Sequence, residues 1–107
     1  LTRRLRLQER QRLADGAGGY SESWQVLGTL WAELVAGNGK EQNSEAGAKA
    51  RVAYRITLRA APIGNPRRPK PGQRFAEAGR VFHIEAVADR DAAGRYLTCF
   101  AIEEVLV

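Results

Sequence analysis

The sequence predicts a mainly β fold: a small antiparallel β barrel with a short helix or mobile loop in its central crossover, built by residues 1–107 as a single domain. Three observations carry this. Apolar and polar residues alternate with a period of two in several segments, as they do where a strand buries one face and wets the other. Glycine- and proline-rich turns separate those segments. The last segment is apolar on both faces, and curling a sheet covers edges that an open arrangement of such strands would leave bare.

Leu5 and Leu7 alternate with Arg4, Arg6 and Gln8 and mark a first strand with one basic, wet face. Asp15-Gly16-Ala17-Gly18-Gly19 then reverses the chain, with an Asp able to bond its own backbone. These glycines lack the lysine and helix context of a nucleotide loop. From Ser23 to Val35 apolar residues fall on both sides of a strand. A helix competes there, because Leu27, Leu30, Trp31 and Leu34 also match a helical stripe; the flanking glycine turns, Thr29 and the β-branched ends favour a strand. Trp24 and Trp31 read as core or subunit-packing residues, since a base-stacking platform needs exposed aromatics in a basic groove.

Gly37-Asn38-Gly39 ends that strand, and Lys40 to Ala50 reads as a short helix followed by a mobile crossover. Helical spacing there makes the Glu41–Glu45 pair repulsive and the Glu45–Lys49 pair attractive. The clearest strand runs from Arg51 to Ala60. Val52, Tyr54, Ile56, Leu58 and Ala60 share one face, and Arg51, Arg55, Thr57 and Arg59 the other. At strand rise its three arginines span about 26 Å, and three readings of them stay open: a solvated face, an acidic protein interface, or DNA contact. Pro62, Pro66, Pro69 and Pro71 interrupt regular structure, so Arg67, Arg68 and Lys70 read as an extended basic arm. Arg80 to Val87 is a strand with Phe82, Ile84 and Ala86 on one face, and Asp89 to Gly94 is a turn. Tyr96 to Val107 returns as the last strand, with Phe100 and Ile102 entering the core while Leu97, Cys99 and Ala101 meet a neighbouring chain or another part of the barrel.

A net charge of +5 with 44% hydrophobic residues describes a folded unit presenting concentrated positive charge. A polyanion or an acidic neighbouring subunit is the natural partner. The single cysteine, Cys99, excludes an intrachain disulfide and a cysteine-rich zinc site. No run approaches the roughly 20 apolar residues that span a bilayer, so no membrane partner is expected. His83 lacks a triad partner, adjacent Glu103 and Glu104 point to opposite faces, and Asp89 and Asp91 sit in a turn. No catalytic residue, metal ligand or cofactor is therefore assigned, and Cys99 reads as a small buried hydrophobe.

The chain resembles the phage head-tail joining family of head-closure, stopper and adaptor proteins, which includes neck proteins of gene transfer agents. The resemblance rests on the order and spacing of the basic first strand, Asp15-Gly16-Ala17-Gly18-Gly19-Tyr20, Ser23-Trp24, Leu30-Trp31-Ala32-Glu33, Gly39-Lys40-Glu41, Tyr54-Arg55-Ile56-Thr57-Leu58-Arg59 and Gly79-Arg80-Val81-Phe82-His83-Ile84. It implies a noncatalytic homo-oligomer, commonly a dodecameric ring, lying in the particle neck between a portal or adaptor protein and a tail-side neck protein. Such a ring continues or closes the DNA channel and is assembled in the host cytoplasm. It also implies that the crossover with Lys40, Glu41, Glu45 and Lys49 lies near ring contacts or the lumen. Arg51, Arg55, Arg59, Arg67, Arg68 and Lys70 are the candidate electrostatic contacts, to partner proteins or nonspecifically to channel DNA. The proline-basic segment is longer than the connection this resemblance implies. The competing function is a small basic nucleic-acid-binding β-barrel protein acting as single subunits.

Overall fold

The computed structural model describes residues 1–37 and 49–106. Six strands follow one another: β1 (Arg3–Ala14), β2 (Tyr20–Ala36), β3 (Lys49–Arg59), β4 (Arg74–Glu77), β5 (Arg80–Asp89) and β6 (Tyr96–Leu106). All pair antiparallel in the order β1-β2-β3-β6-β5-β4, and β4 returns to β1. The returning pairing is short, with Arg6, Leu7 and Gln8 opposite Ala76, Phe75 and Arg74. Directly opposite residues share a face, so the registers gather the core: Leu7 meets Phe75, Phe75 meets Phe82, Leu58 meets Leu97 and Ile56 meets Cys99. Leu5, Leu7, Ile56, Leu58, Phe75, Phe82, Leu97 and Cys99 are all buried there.

The expected small barrel with a helix in its crossover needs correction. The described residues contain strands and turns but no helix. Most of the expected helix, including Lys40, Glu41 and Glu45, lies outside the described residues, and Lys49 already begins β3. Nor is the sheet the compact barrel expected. β4 pairs with β1 only as far as Gln8, and β3 with β2 only over Ala32–Ala36, so Glu9–Ala14 and Tyr20–Gln25 continue as a two-stranded ribbon with no third strand among the described residues. The molecule is accordingly long, 48 × 34 × 22 Å, with a radius of gyration of 15.2 Å against the about 13 Å of a compact chain of this length.

β6 reverses the expected phase. Leu97, Cys99, Ala101 and Glu103 point inward, while Phe100 is exposed and stands opposite Arg55. The period-two pattern is intact, but a strand apolar on both sides does not say which side is the core. The segment after β3 differs too. It folds into successive turns held by Asn65 N–H to Pro62 O, Arg68 N–H to Asn65 O and Gln73 N–H to Lys70 O, with Pro69 buried. It lies down on the sheet and is not an outstretched arm.

A two-residue turn, Ala78-Gly79, joins β4 to β5 with both residues at positive φ, 45° and 84°. That geometry matches the twist of a hairpin and favours Asn-Gly or Gly-Gly. Alanine is strained there by roughly 1–2 kcal/mol. Ala78→Asn is expected to raise stability by up to about 1 kcal/mol in urea unfolding; a loss would contradict the turn assignment. Phe82→Ala removes a fully buried ring from between β4 and β6 and is expected to cost about 3–5 kcal/mol. A change below about 1 kcal/mol in the same measurement would place Phe82 outside the core.

Candidate interaction surfaces

Arg51, Arg55 and Arg59 keep the outer face of β3, all three exposed. Arg51 lies 3.6 Å from Glu85, an exposed pair worth little. Arg55 borders a cleft of about 460 Å³ with Glu33, Val35, Arg90 and Phe100, beside a buried Thr57 whose hydroxyl accepts from Arg90 at 2.9 Å. Arg59 shares a larger cleft, about 740 Å³, with Trp31, Arg67 and Tyr96. The fold therefore joins two predicted contacts from separate segments. Arg67 reaches this position across Gly28, where a Cβ would lie 3.3 Å from its Nε, so the absence of a side chain at 28 makes room for it. Arg68 is turned inward instead, donating to the Ala61 carbonyl at 2.8 Å with Asp89 3.9 Å away. Lys70 is exposed, and its backbone N–H donates to Gln73.

The arginines of the first strand form a surface that the assigned contacts omitted. Arg4, Arg6, Arg10 and Arg12 alternate along the outer face of β1, opposite Trp31, Thr29, Trp24 and Glu22 of β2. Arg4 sits 5.6 Å from the centre of the Trp31 ring, Arg10 5.5 Å from Trp24 and Arg12 4.9 Å from Tyr20. Arg74 of β4 covers Trp24 at 4.0 Å and donates to Gln8 at 2.7 Å, and burial lowers its guanidinium pKa. Such contacts hold each guanidinium near a ring while its remaining N–H groups can still bind other partners. Trp31 is 55% exposed, which removes the core alternative for it and leaves subunit packing, and Tyr20 is 66% exposed as well.

Trp24 and Trp31 are seven residues apart, which puts them on opposite faces of a regular strand. A bulge between Leu7 and Gln8 leaves Leu27 without an opposite residue and restores both tryptophans to one face. The alternating arginines were the available signal; the bulge hid the aromatics that belong with them.

Beneath the outer surfaces, one end of the core is closed by polar groups. Buried Glu103 accepts from Arg80 at 2.7 and 3.0 Å, and Arg80 also donates to the Tyr54 hydroxyl and lies over the Phe82 ring. Arg3 binds Glu77 by two hydrogen bonds, which hold the Glu77 carboxyl below its ordinary value. Both pairs are structural. Glu104 is exposed, on the other side from Glu103. His83 is exposed with its ring edge-on to Trp24 at 6.3 Å. Cys99 is buried, and desolvation pushes its thiol up to about 12. Among the described residues, no group of three His, Cys, Asp or Glu side chains is placed to hold a metal ion.

The family model described as phage head completion protein matches residues 1–105. A chain in the solved structure of the virion of a native gene transfer agent particle is 52% identical, with the match covering 100% of this chain and 97% of that one at a TM-score of 0.88. No curated protein matches significantly.

The Arg3–Glu77 pair has a pH signature. Because the folded state lowers the Glu77 pKa, the pair's contribution is complete above the ordinary value of 4.5 and is lost as pH falls through the depressed one. The stability difference between wild type and Glu77→Gln should therefore be constant near neutrality and shrink in acid. A difference that stays constant throughout the acid range would contradict the pairing.

Proposed function

Because the chain belongs to the phage head completion protein family, we propose that its copies form a closed ring, dodecameric on the family resemblance, between a portal or adaptor protein and a tail-side neck protein. The protein is a noncatalytic structural component of head-tail joining or head closure, one part of a multi-protein phage or gene transfer agent particle. The observation that carries the ring reading is the match over nearly the whole chain to a protein of such a particle. Residues 1–107 act there as one connector domain that continues or closes the DNA channel, with the crossover around Lys40, Glu41, Glu45 and Lys49 near ring contacts or the lumen.

Physical features support this division of labour. The core is small, so repeated contacts with neighbours add stability that the single chain lacks. Arg51, Arg55 and Arg59, together with Arg67 and Lys70, present charge outward from a rigid sheet. They act electrostatically on acidic partners or traversing DNA. No helix among the described residues is available to enter a major groove, so base sequence is not read.

Imaging of intact particles should reveal several symmetry-related copies encircling the axis between portal and tail. Replacing Arg51, Arg55 and Arg59 together with Ala should reduce neck attachment, and any isolated DNA binding should fall steeply with salt and equally for unrelated sequences. A single copy per particle would overturn the ring. A salt-sensitive complex of lone subunits with short DNA, without ring formation, would favour the small nucleic-acid-binding protein instead.

A further inference from the structure

We propose that the outer arginine–aromatic face of the β1–β2 ribbon is a docking surface for a carboxylate-rich patch on a different protein of the particle. The proposal rests on the neck reading above and names a partner for a surface which that reading does not use. Along β1, Arg4, Arg6, Arg10 and Arg12 occupy alternate positions over about 27 Å, and Arg74 joins them from β4. Of the β2 residues opposite this row, Glu22 alone is acidic, 3.9 Å from Arg10. So much like charge on one face calls for an anionic partner.

A second copy is poorly equipped to supply it. Among the described residues, Glu77, Glu103, Glu85, Asp89 and Asp91 each lie beside an arginine of their own chain. Asp15 is engaged by the N–H groups of Ala17 and Gly19 in its own turn. Glu9, Glu33 and Glu104 are exposed, but they stand singly on β1, β2 and β6, opposite Gln25, Thr57 and Arg51, so the described residues of a second copy offer scattered carboxylates and a carboxylate-rich patch is supplied by another macromolecule.

The chemistry of the face favours protein over nucleic acid. Trp31, Trp24 and Tyr20 already carry guanidinium groups, so they are not open platforms for bases. β1 and β2 contain five arginines but no lysine, and Val26 is exposed between the aromatics. Arginine, tryptophan and tyrosine around a small apolar centre are the composition of protein-interface anchors, whereas backbone binding to nucleic acid uses lysine as freely. Pre-oriented guanidinium edges suit bidentate pairing with carboxylates.

Two experiments on assembled particles test this. In the first, Arg4→Lys and Arg6→Lys keep the charge while adding amines, and particles are treated with a carbodiimide that couples amines to carboxylates. Mass spectrometry should find positions 4 and 6 joined to Asp or Glu peptides of another particle protein. Absence of such links, or links confined to this chain, would overturn the proposal. In the second, Arg4, Arg6, Arg10 and Arg12 are changed to Gln. Incorporation into particles should drop about tenfold or more, the loss of about 1.4 kcal/mol per factor of ten, with the thermal midpoint nearly unchanged and binding to short duplex DNA unaffected. Undiminished incorporation would refute the docking role, and a parallel loss of duplex binding would reassign the face to nucleic acid. Should the Gln variant not fold, the lysine variant decides alone. Absence of the wild-type chain from the neck is a different failure, that of the neck reading itself.

Discussion

The fold depends on the short return of β4 to β1. Three residue pairs complete the ladder and bring Phe75 between Leu7 and Phe82, so that apolar residues from strands distant in sequence share one interior. Antiparallel pairing then fixes the other side chains, because residues alternate between inside and outside except at the bulges opposite Leu7/Gln8 and between Ile84 and Ala86. The arginines have no place in an apolar interior unless paired, and the two that reach its end, Arg3 and Arg80, each meet a glutamate. Apart from Arg68, which turns inward to the Ala61 carbonyl, the remaining arginines line the outer surfaces, which makes the outside of this small sheet basic as a direct result of how its inside is filled.

The brevity of that closure has a second consequence. Among the described residues no strand pairs with the far edge of β1 beyond Gln8 or with that of β2 before Ala32, so the hairpin extends past the core as a ribbon whose residues contribute little to the interior. Its stabilisation comes from cross-strand contacts, chiefly arginine on aromatic. Side chains that would be expensive to leave exposed for stability alone are here held in fixed orientations. Such a ribbon is suited to contact with a partner, in keeping with a structural component of a head-tail joint.

Much of this was legible in the sequence. The β class, the reversal at Asp15, the inward Val52-to-Ala60 face and the burial of Phe82 and Ile84 follow from period-two alternation and turn chemistry. Family membership was legible in the order of short motifs. Three features were not. The phase of β6 is undetermined when both faces are apolar, and only the pairing of Ile56 with Cys99 decides it. The bulge at Leu7/Gln8 shifts β2 by one residue, and no local signal announces it. The folding-back of the proline segment goes with Arg67 crossing Gly28 and Arg68 reaching Ala61, contacts that no local sequence pattern announces. Of the assigned contacts, Arg59 and Arg67 converge, Arg68 turns inward, and the acidic crossover falls outside the described residues.

The central claim is a division between an interior that folds the chain and an exterior ribbon that joins it to the particle. Hydrogen exchange of the backbone amides, compared between free protein and assembled particles, tests it most directly. In the free protein, amides of β3, β5 and β6 should exchange slowly and those of Glu9–Ala14 and Tyr20–Gln25 quickly. On assembly the ribbon should become protected while the core strands change little. A ribbon that exchanges equally fast in the particle, with new protection confined to other surfaces, would contradict the account.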